Sequence, residues 1–163
     1  LALAELERAG LLDAVITQNV DRLHLAAGTR ELVEVHGSIG SAVCLACGRV
    51  EDDVRPLLPL PRCASCGAVL KPGVVMFGEL LPVAAIERAT ELARTAALLL
   101  VVGTSLEVWP VAGLPDETLA HGGLVAIVNR EPTSVDRRAR LVVHGSAAET
   151  LAAVVETYPV RGT

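Results

Sequence analysis

The chain has 163 residues, of which 52% are hydrophobic and 20% charged, and its formal net charge is −5. This suits one domain of ordinary size with room for a small inserted module, and it supports a sizeable core rather than disorder. Aromatic residues make up only 2% and the charge is acidic, which weighs against a nucleic-acid partner, since such partners meet a basic face and stacking rings. No apolar run approaches the length of a bilayer span, so no membrane partner is expected; the longest run, Ala96 to Val102, has the length of a buried strand.

Leu3, Leu6 and the Leu11–Leu12 pair make a helical stripe, with Gly10 as its stop. Leu12 to Ile16 reads as the first buried strand, a short helix follows from Asp21 to Ala27, and residues 30–36 run extended into His36. From Gly37 to about Gly73 periodicity fades, prolines appear (Pro56, Pro59, Pro61, Pro72) and all the cysteines fall, which predicts a separate small lobe over 37–73 inserted into a larger domain of 1–36 and 74–163. By pattern alone Val74 to Phe77 is a plain core strand. Pro82 to Ala96 is an amphipathic helix opened by its proline, Ala97 to Val102 a strand, Pro110 to His121 a broken helical stretch and Leu124 to Val128 a strand. Leu141 to His144 is the last strand and Ala147 to Tyr158 the terminal helix. Short apolar strands alternating with helices indicate an α/β fold with a parallel sheet covered on both faces.

Cys44-x-x-Cys47, fifteen residues, then Cys63-x-x-Cys66 has the spacing of a structural four-cysteine zinc site. Gly48 and Gly67, each following the second cysteine of its pair, suit the tight turn such a knuckle needs. Four protein ligands leave no open position for water or substrate, so the expected Zn²⁺ is structural. Two redox pairs are the competing reading. Reduced thiolates on a metal point to a reducing compartment, the cytoplasm.

Thr17-Gln18-Asn19-Val20-Asp21 leaves the carboxyl end of the first strand, where ligands bind in open α/β sheets. An amide and a carboxylate two residues apart can grip a carboxamide, one giving and one taking a hydrogen bond. His36, in Glu34-Val35-His36-Gly37, is a candidate general base. The plainer alternative is an Asx-type turn beside a core histidine. Three further strands are followed at once by small or polar residues: Gly103-Thr104-Ser105, then Asn129-Arg130-Glu131, then Gly145-Ser146-Ala147. Each alone is an ordinary turn or helix cap. Their shared position at one edge of a parallel sheet would make a crevice fit for ribose and adenine.

The stretch "TQNVDRLHLAAG…ELVEVHGS" resembles the sirtuins, NAD-dependent protein deacylases with a Rossmann-like domain and a small zinc-binding domain. "GTSLEVWPVAGLP", "VAIVNREPT", "LVVHGSAAETL" and "KPGVVMFGE" extend the likeness through nearly the whole chain. The resemblance implies that Gln18, Asn19, Asp21, Gly103, Thr104, Ser105, Asn129, Glu131 and Ala147 bind NAD, that Asn19 and Asp21 hold the nicotinamide carboxamide, and that Cys44, Cys47, Cys63 and Cys66 hold zinc. It implies that Val75, Met76 and Phe77 lie along an acyl-lysine peptide and that His36 takes a proton from a ribose hydroxyl during acyl transfer to ADP-ribose.

The family's glycine-rich loop is not matched, since no G-x-G-x-x-G occurs in the sequence. The expected fold is therefore an incomplete Rossmann-like sheet, with first strand and pyrophosphate cradle missing, and the chain by itself is expected to be poorly stable and inactive. Two other readings compete: a non-catalytic NAD- or ADP-ribose-binding relative, and a zinc-ribbon interaction module with a helical scaffold. Retention of His36 together with Asn19 and Asp21 favours the enzyme.

Overall fold

The computed structural model describes residues 1–52 and 60–158, so Pro56 and Pro59 lie outside the described residues. Helix α1 spans Ala2–Arg8 and strand β1 Val15–Thr17. Helix α2 is Leu23–Ala26, and β2, Leu32–Glu34, pairs parallel to β1 with Val15 opposite Leu32 and Thr17 opposite Glu34. A second parallel sheet has β6 (Leu98–Val102), β7 (Leu124–Asn129) and β8 (Leu141–His144) in the order β6-β7-β8. Between them in sequence come β3 (Gly37–Cys44), β4 (Val50–Asp52) and β5 (Leu70–Val74), an antiparallel sheet ordered β4-β3-β5. The fold is thus Rossmann-like α/β, with its parallel strands in two sheets rather than one continuous one, and with a cysteine-bearing antiparallel sheet inserted.

Helix α3 (Val83–Thr95) follows the N-cap Pro82, and its Ile86, Ala89 and Ala93 recur at helical spacing. With Val111 and Leu114 these residues make a core under β1, β2 and β6, closed by Val35, Ile16, Val33 and Leu99. Both parallel sheets therefore share one apolar layer although no ladder joins them. Helix α4 (Leu114–Ala120) packs along α3, and the Thr118 hydroxyl, fully buried, donates to the Ala93 carbonyl at 2.7 Å. A second core forms around Val101, Val125, Ile127, Val135 and Ala112. Val125 and Ile127 are completely buried, each worth about 1.5–3 kcal/mol of transfer free energy. Helix α5 (Ala147–Thr157) starts at Ser146, whose hydroxyl accepts from the Glu149 N–H, and it carries α1 on its surface.

Two expectations are corrected. The first strand is Val15–Thr17, not Leu12 to Ile16, because pairing begins only where β2 lies alongside. The stretch from Val74 to Phe77 is not a core strand: β5 ends at Val74, and Phe77 is fully exposed. Among the described residues the inserted sheet packs around Ala42, Cys44, Cys63, Leu70 and Ala68. Among the described residues no helix is long and apolar enough to cross a membrane.

Candidate active site and metal centre

The carboxyl ends of the parallel strands carry the polar tips. Gln18 follows β1 and Thr104 follows β6, and the Gln18 Nε2 lies 3.5 Å from Thr104 Oγ1, which brings the two sheets' ends together. Thr104 Oγ1 also accepts from the Leu106 N–H at 3.2 Å, fixing the turn. Gly103 sits at φ +60° with nothing within 4 Å of where a side chain would start, so its backbone is open to a ligand. Its N–H bonds the Val128 carbonyl at 3.0 Å, tying this loop to the end of β7. There Asn129 donates from Nδ2 to the Glu131 carbonyl at 2.8 Å, and its own carbonyl accepts from Gly145 at 3.2 Å, just before Ala147 opens α5. Ser105 and Glu131 are exposed beside these turns.

His36 follows β2 and is half-buried. Its Nδ1 stands 3.2 Å from the Gln18 carbonyl. A carbonyl only accepts, so this contact puts the ring hydrogen on Nδ1 and leaves the lone pair on Nε2, the nitrogen that can take a proton. The His36 carbonyl accepts from the Val75 N–H at 2.9 Å, so the segment Val75, Met76 and Phe77 starts beside the imidazole. Asn19 and Asp21 are exposed, and Asp21 Oδ1 accepts at 2.9 Å from the N–H of Leu23, the first residue of α2. The Asx-type turn is thus present at Asp21.

Several neighbours of this site escape the sequence reading. The Glu79 carboxylate accepts from the Met76 N–H and from Lys71 Nζ, both at 2.9 Å, and Lys71 also reaches the Val74 carbonyl at 2.8 Å. This closes the turn that lifts Phe77 into solvent; lysine and glutamate eight positions apart give no periodic signal. Glu34, at the end of β2, has its carboxyl raised above the ordinary range by burial, opposed by Arg22 and the Ser38 hydroxyl.

Cys44, Cys47, Cys63 and Cys66 place their sulfurs within 4.8 Å of one another, and none is in a disulfide. Sulfurs about 2.3 Å from a tetrahedral zinc stand roughly 3.8 Å apart. Cys44 to Cys66 measures 3.4 Å and Cys47 to Cys63 3.6 Å, so the donor set fits that ion. Burial acts to raise the Cys44 thiol, but the backbone N–H groups of Cys47 and Ala46 and the Cys66 thiol bring it to about 7. The Arg49 N–H acts to lower Cys47, yet the Cys44 and Cys63 thiols push it up to about 12. Crowded thiols oppose one another's ionisation, and a divalent cation relieves that opposition.

A Rossmann-like fold with polar loops at the strand ends and a four-cysteine cluster defines a class of nucleotide-binding proteins braced by a metal. Comparison with known proteins narrows it. The Sir2 family model matches residues 1–110. The chain is 44% identical over 161 residues to an NAD-dependent protein deacetylase of Caldivirga maquilingensis, covering 93% of this chain and 60% of that protein. It is 44% identical over 163 residues to an NAD-dependent protein deacylase of Pyrococcus furiosus, covering 96% of this chain and 65% of that one. A Sir2 homologue in complex with NAD superposes at a TM-score of 0.89 with 39% identity, over 98% of this chain and 62% of that chain. A Sir2 bound to acetylated peptide gives a TM-score of 0.89 at 38% identity, over 98% and 69%. This chain belongs to the Sir2 family. It spans 60% and 65% of the length of the two curated relatives.

Proposed function

We propose that the chain is part of an NAD-dependent protein-lysine deacylase, a transferase that moves an acyl group from lysine to ADP-ribose with release of nicotinamide. The observation that carries this reading is the placement of His36: its Nδ1 faces the Gln18 carbonyl, which leaves the lone pair on Nε2, and its backbone holds Val75. NAD, when bound, supplies the activated ribose carbon that receives the acyl group. Asn19 and Asp21 hold the carboxamide, with the Asp21 carboxylate as acceptor. Gly103, Thr104 and Ser105 line the ribose, Asn129 and Glu131 the adenosine end, and Ala147 the adenine; Gln18 ties the first group to the second. The open backbone at Gly103 and the convergent polar tips support the fit. His36 Nε2 takes a proton from a ribose hydroxyl. Val75, Met76 and Phe77 lie along the acyl-lysine peptide, offering backbone groups as an added strand does.

On this reading residues 1–36 and 74–163 form the NAD-binding domain, and residues 37–73 the small domain, in which Cys44, Cys47, Cys63 and Cys66 hold structural zinc. Reduced cysteines in a closed metal site favour the cytoplasm.

The test is NAD-dependent deacetylation of an acetyl-lysine peptide by the full-length protein and its His36→Ala variant, with zinc content measured in both. The expected result is turnover by the first, loss of roughly 10²–10⁴-fold in the second, and equal zinc. Normal turnover by His36→Ala would remove the histidine from its role. ADP-ribose binding without any turnover in the unaltered protein would mark a binding relative instead.

A further inference from the structure

The proposed chemistry leaves His144 unused, yet its ring occupies a built position. It is the last residue of β8, paired across the ladder with Asn129, and both ring nitrogens face acceptors. Nδ1 stands 3.3 Å from the Asn129 carbonyl, and Nε2 stands 3.4 Å from Asp136 Oδ2. Asp136 is itself held in place: its Oδ1 accepts from the Thr133 N–H at 3.1 Å and from the Thr133 hydroxyl at 2.5 Å. The same hydroxyl accepts from the Val135 N–H at 3.3 Å, and Val135 is buried in the core beside Ile127. Thr133 and Val135 therefore anchor Asp136 from below, while the imidazole stands between its Oδ2 and the Asn129 carbonyl at the end of β7. A neutral ring has one N–H and serves one of its two acceptors; the imidazolium serves both.

Between these ties runs the loop 129–136, which bears Asn129 and Glu131. On its other side the chain passes from His144 through Gly145 and Ser146 into Ala147. The ring thus stands between the two segments read above as the adenosine end of the cofactor crevice. We propose that His144 and Asp136 form a positioning pair that holds the 129–136 loop in the shape that binds the adenosine half of the cofactor. The inference rests on the NAD reading. Neither side chain contacts reacting atoms, so both act through Asn129 and its loop.

The experiment measures binding of ADP-ribose, nicotinamide and acetyl-lysine peptide by calorimetry to the zinc-loaded full-length protein and to its His144→Ala, Asp136→Asn and doubly substituted forms. Loss of one tie to the loop is expected to weaken ADP-ribose by about threefold to tenfold in each single variant. The double variant should be no weaker than the weaker single one, because the two residues act through one contact. Nicotinamide and peptide binding, and the melting temperature, should stay unchanged, which separates positioning of one ligand half from a general structural role. Intact ADP-ribose affinity in His144→Ala, additive losses in the double variant, or equal losses for every ligand would each overturn the pair while leaving the NAD reading standing. Failure of the unaltered protein to bind ADP-ribose would overturn that reading, and the pair with it.

Discussion

The side chain of Arg22 lies flat against Gly40, so closely that a Cβ on the glycine would come within 2.2 Å of Nη1, 2.5 Å of Cδ and 2.6 Å of Cζ. Arg22 itself sits at φ +63°, directly after Asp21, and the Ile39 N–H bonds the Val20 carbonyl at 3.0 Å. The loop that carries Gln18, Asn19 and Asp21 is therefore braced on β3 of the antiparallel sheet.

Two glycines of β3 should respond differently to a methyl group. In Gly40→Ala the obstacle is a side chain, which can shift where backbone cannot, so the melting temperature should fall less than in Gly37→Ala, while nicotinamide affinity falls as the brace is disturbed. In Gly37→Ala the obstacle is the Gly73 carbonyl, 2.0 Å from the new Cβ, at a residue with φ +72°. Backbone cannot swing, and strain of roughly 1–3 kcal/mol plus the clash should lower the melting temperature sharply. Equal melting temperatures for the two variants would show that β3 and β5 are less closely packed than described.

Metal removal should act locally first. With a core that among the described residues comprises Ala42, Cys44, Cys63, Leu70 and Ala68, the antiparallel sheet should draw much of its stability from zinc held by the four cysteines. Treatment with a strong chelator should speed amide exchange at Ala42 and Val43 well before it does so at Val125 or Ile127. Simultaneous loss of protection in both sets would show one cooperative unit instead of two.

The turn bearing Met76 and Phe77 should be acid-sensitive. The Met76 N–H and then the Lys71 ammonium hold the Glu79 carboxyl below its ordinary value of 4.5. A depressed folded-state value means that the stabilisation is complete above that ordinary value and is lost as pH falls through the lowered one. Peptide affinity should drop on that acid side in the unaltered protein, and Glu79→Gln should show the weakened affinity at neutral pH with no further drop from this group. NAD affinity should follow neither change.

Thr118→Val keeps the shape of a fully buried side chain and deletes the hydroxyl's long bond to the Leu114 carbonyl, at 3.4 Å, and its short one to the Ala93 carbonyl. That carbonyl belongs to the last turn of α3 and would lose a partner, which should cost about 1–3 kcal/mol by denaturant unfolding. An unchanged midpoint would mean that water replaces the hydroxyl.

The strands β6, β7 and β8 were legible because each carries a run of apolar residues that ends at a polar turn, although only the central β7 is buried along most of its length. The cysteine spacing was equally plain, since ligand geometry writes itself into sequence intervals. β3 was not legible: Gly37-Ser38-Ile39-Gly40-Ser41 has little alternation, and its pairing partner in β5 is reached only after the cysteine knuckles. The strand-end loops could be read as sharing one edge, but the meeting of Gln18 with Thr104 depends on the two sheets being packed on a common core. The pairing of His144 with Asp136 was not legible, because Asp136 belongs to a separate turn and nothing in a one-dimensional pattern couples them.

The bond from Val75 to the His36 carbonyl has a mechanical consequence. The residue proposed to act as base also anchors, through its own main chain, the first link of the segment along which a peptide would lie. Whatever pulls on that segment pulls on the base, so a poorly seated guest would disturb proton removal without ever approaching the ring.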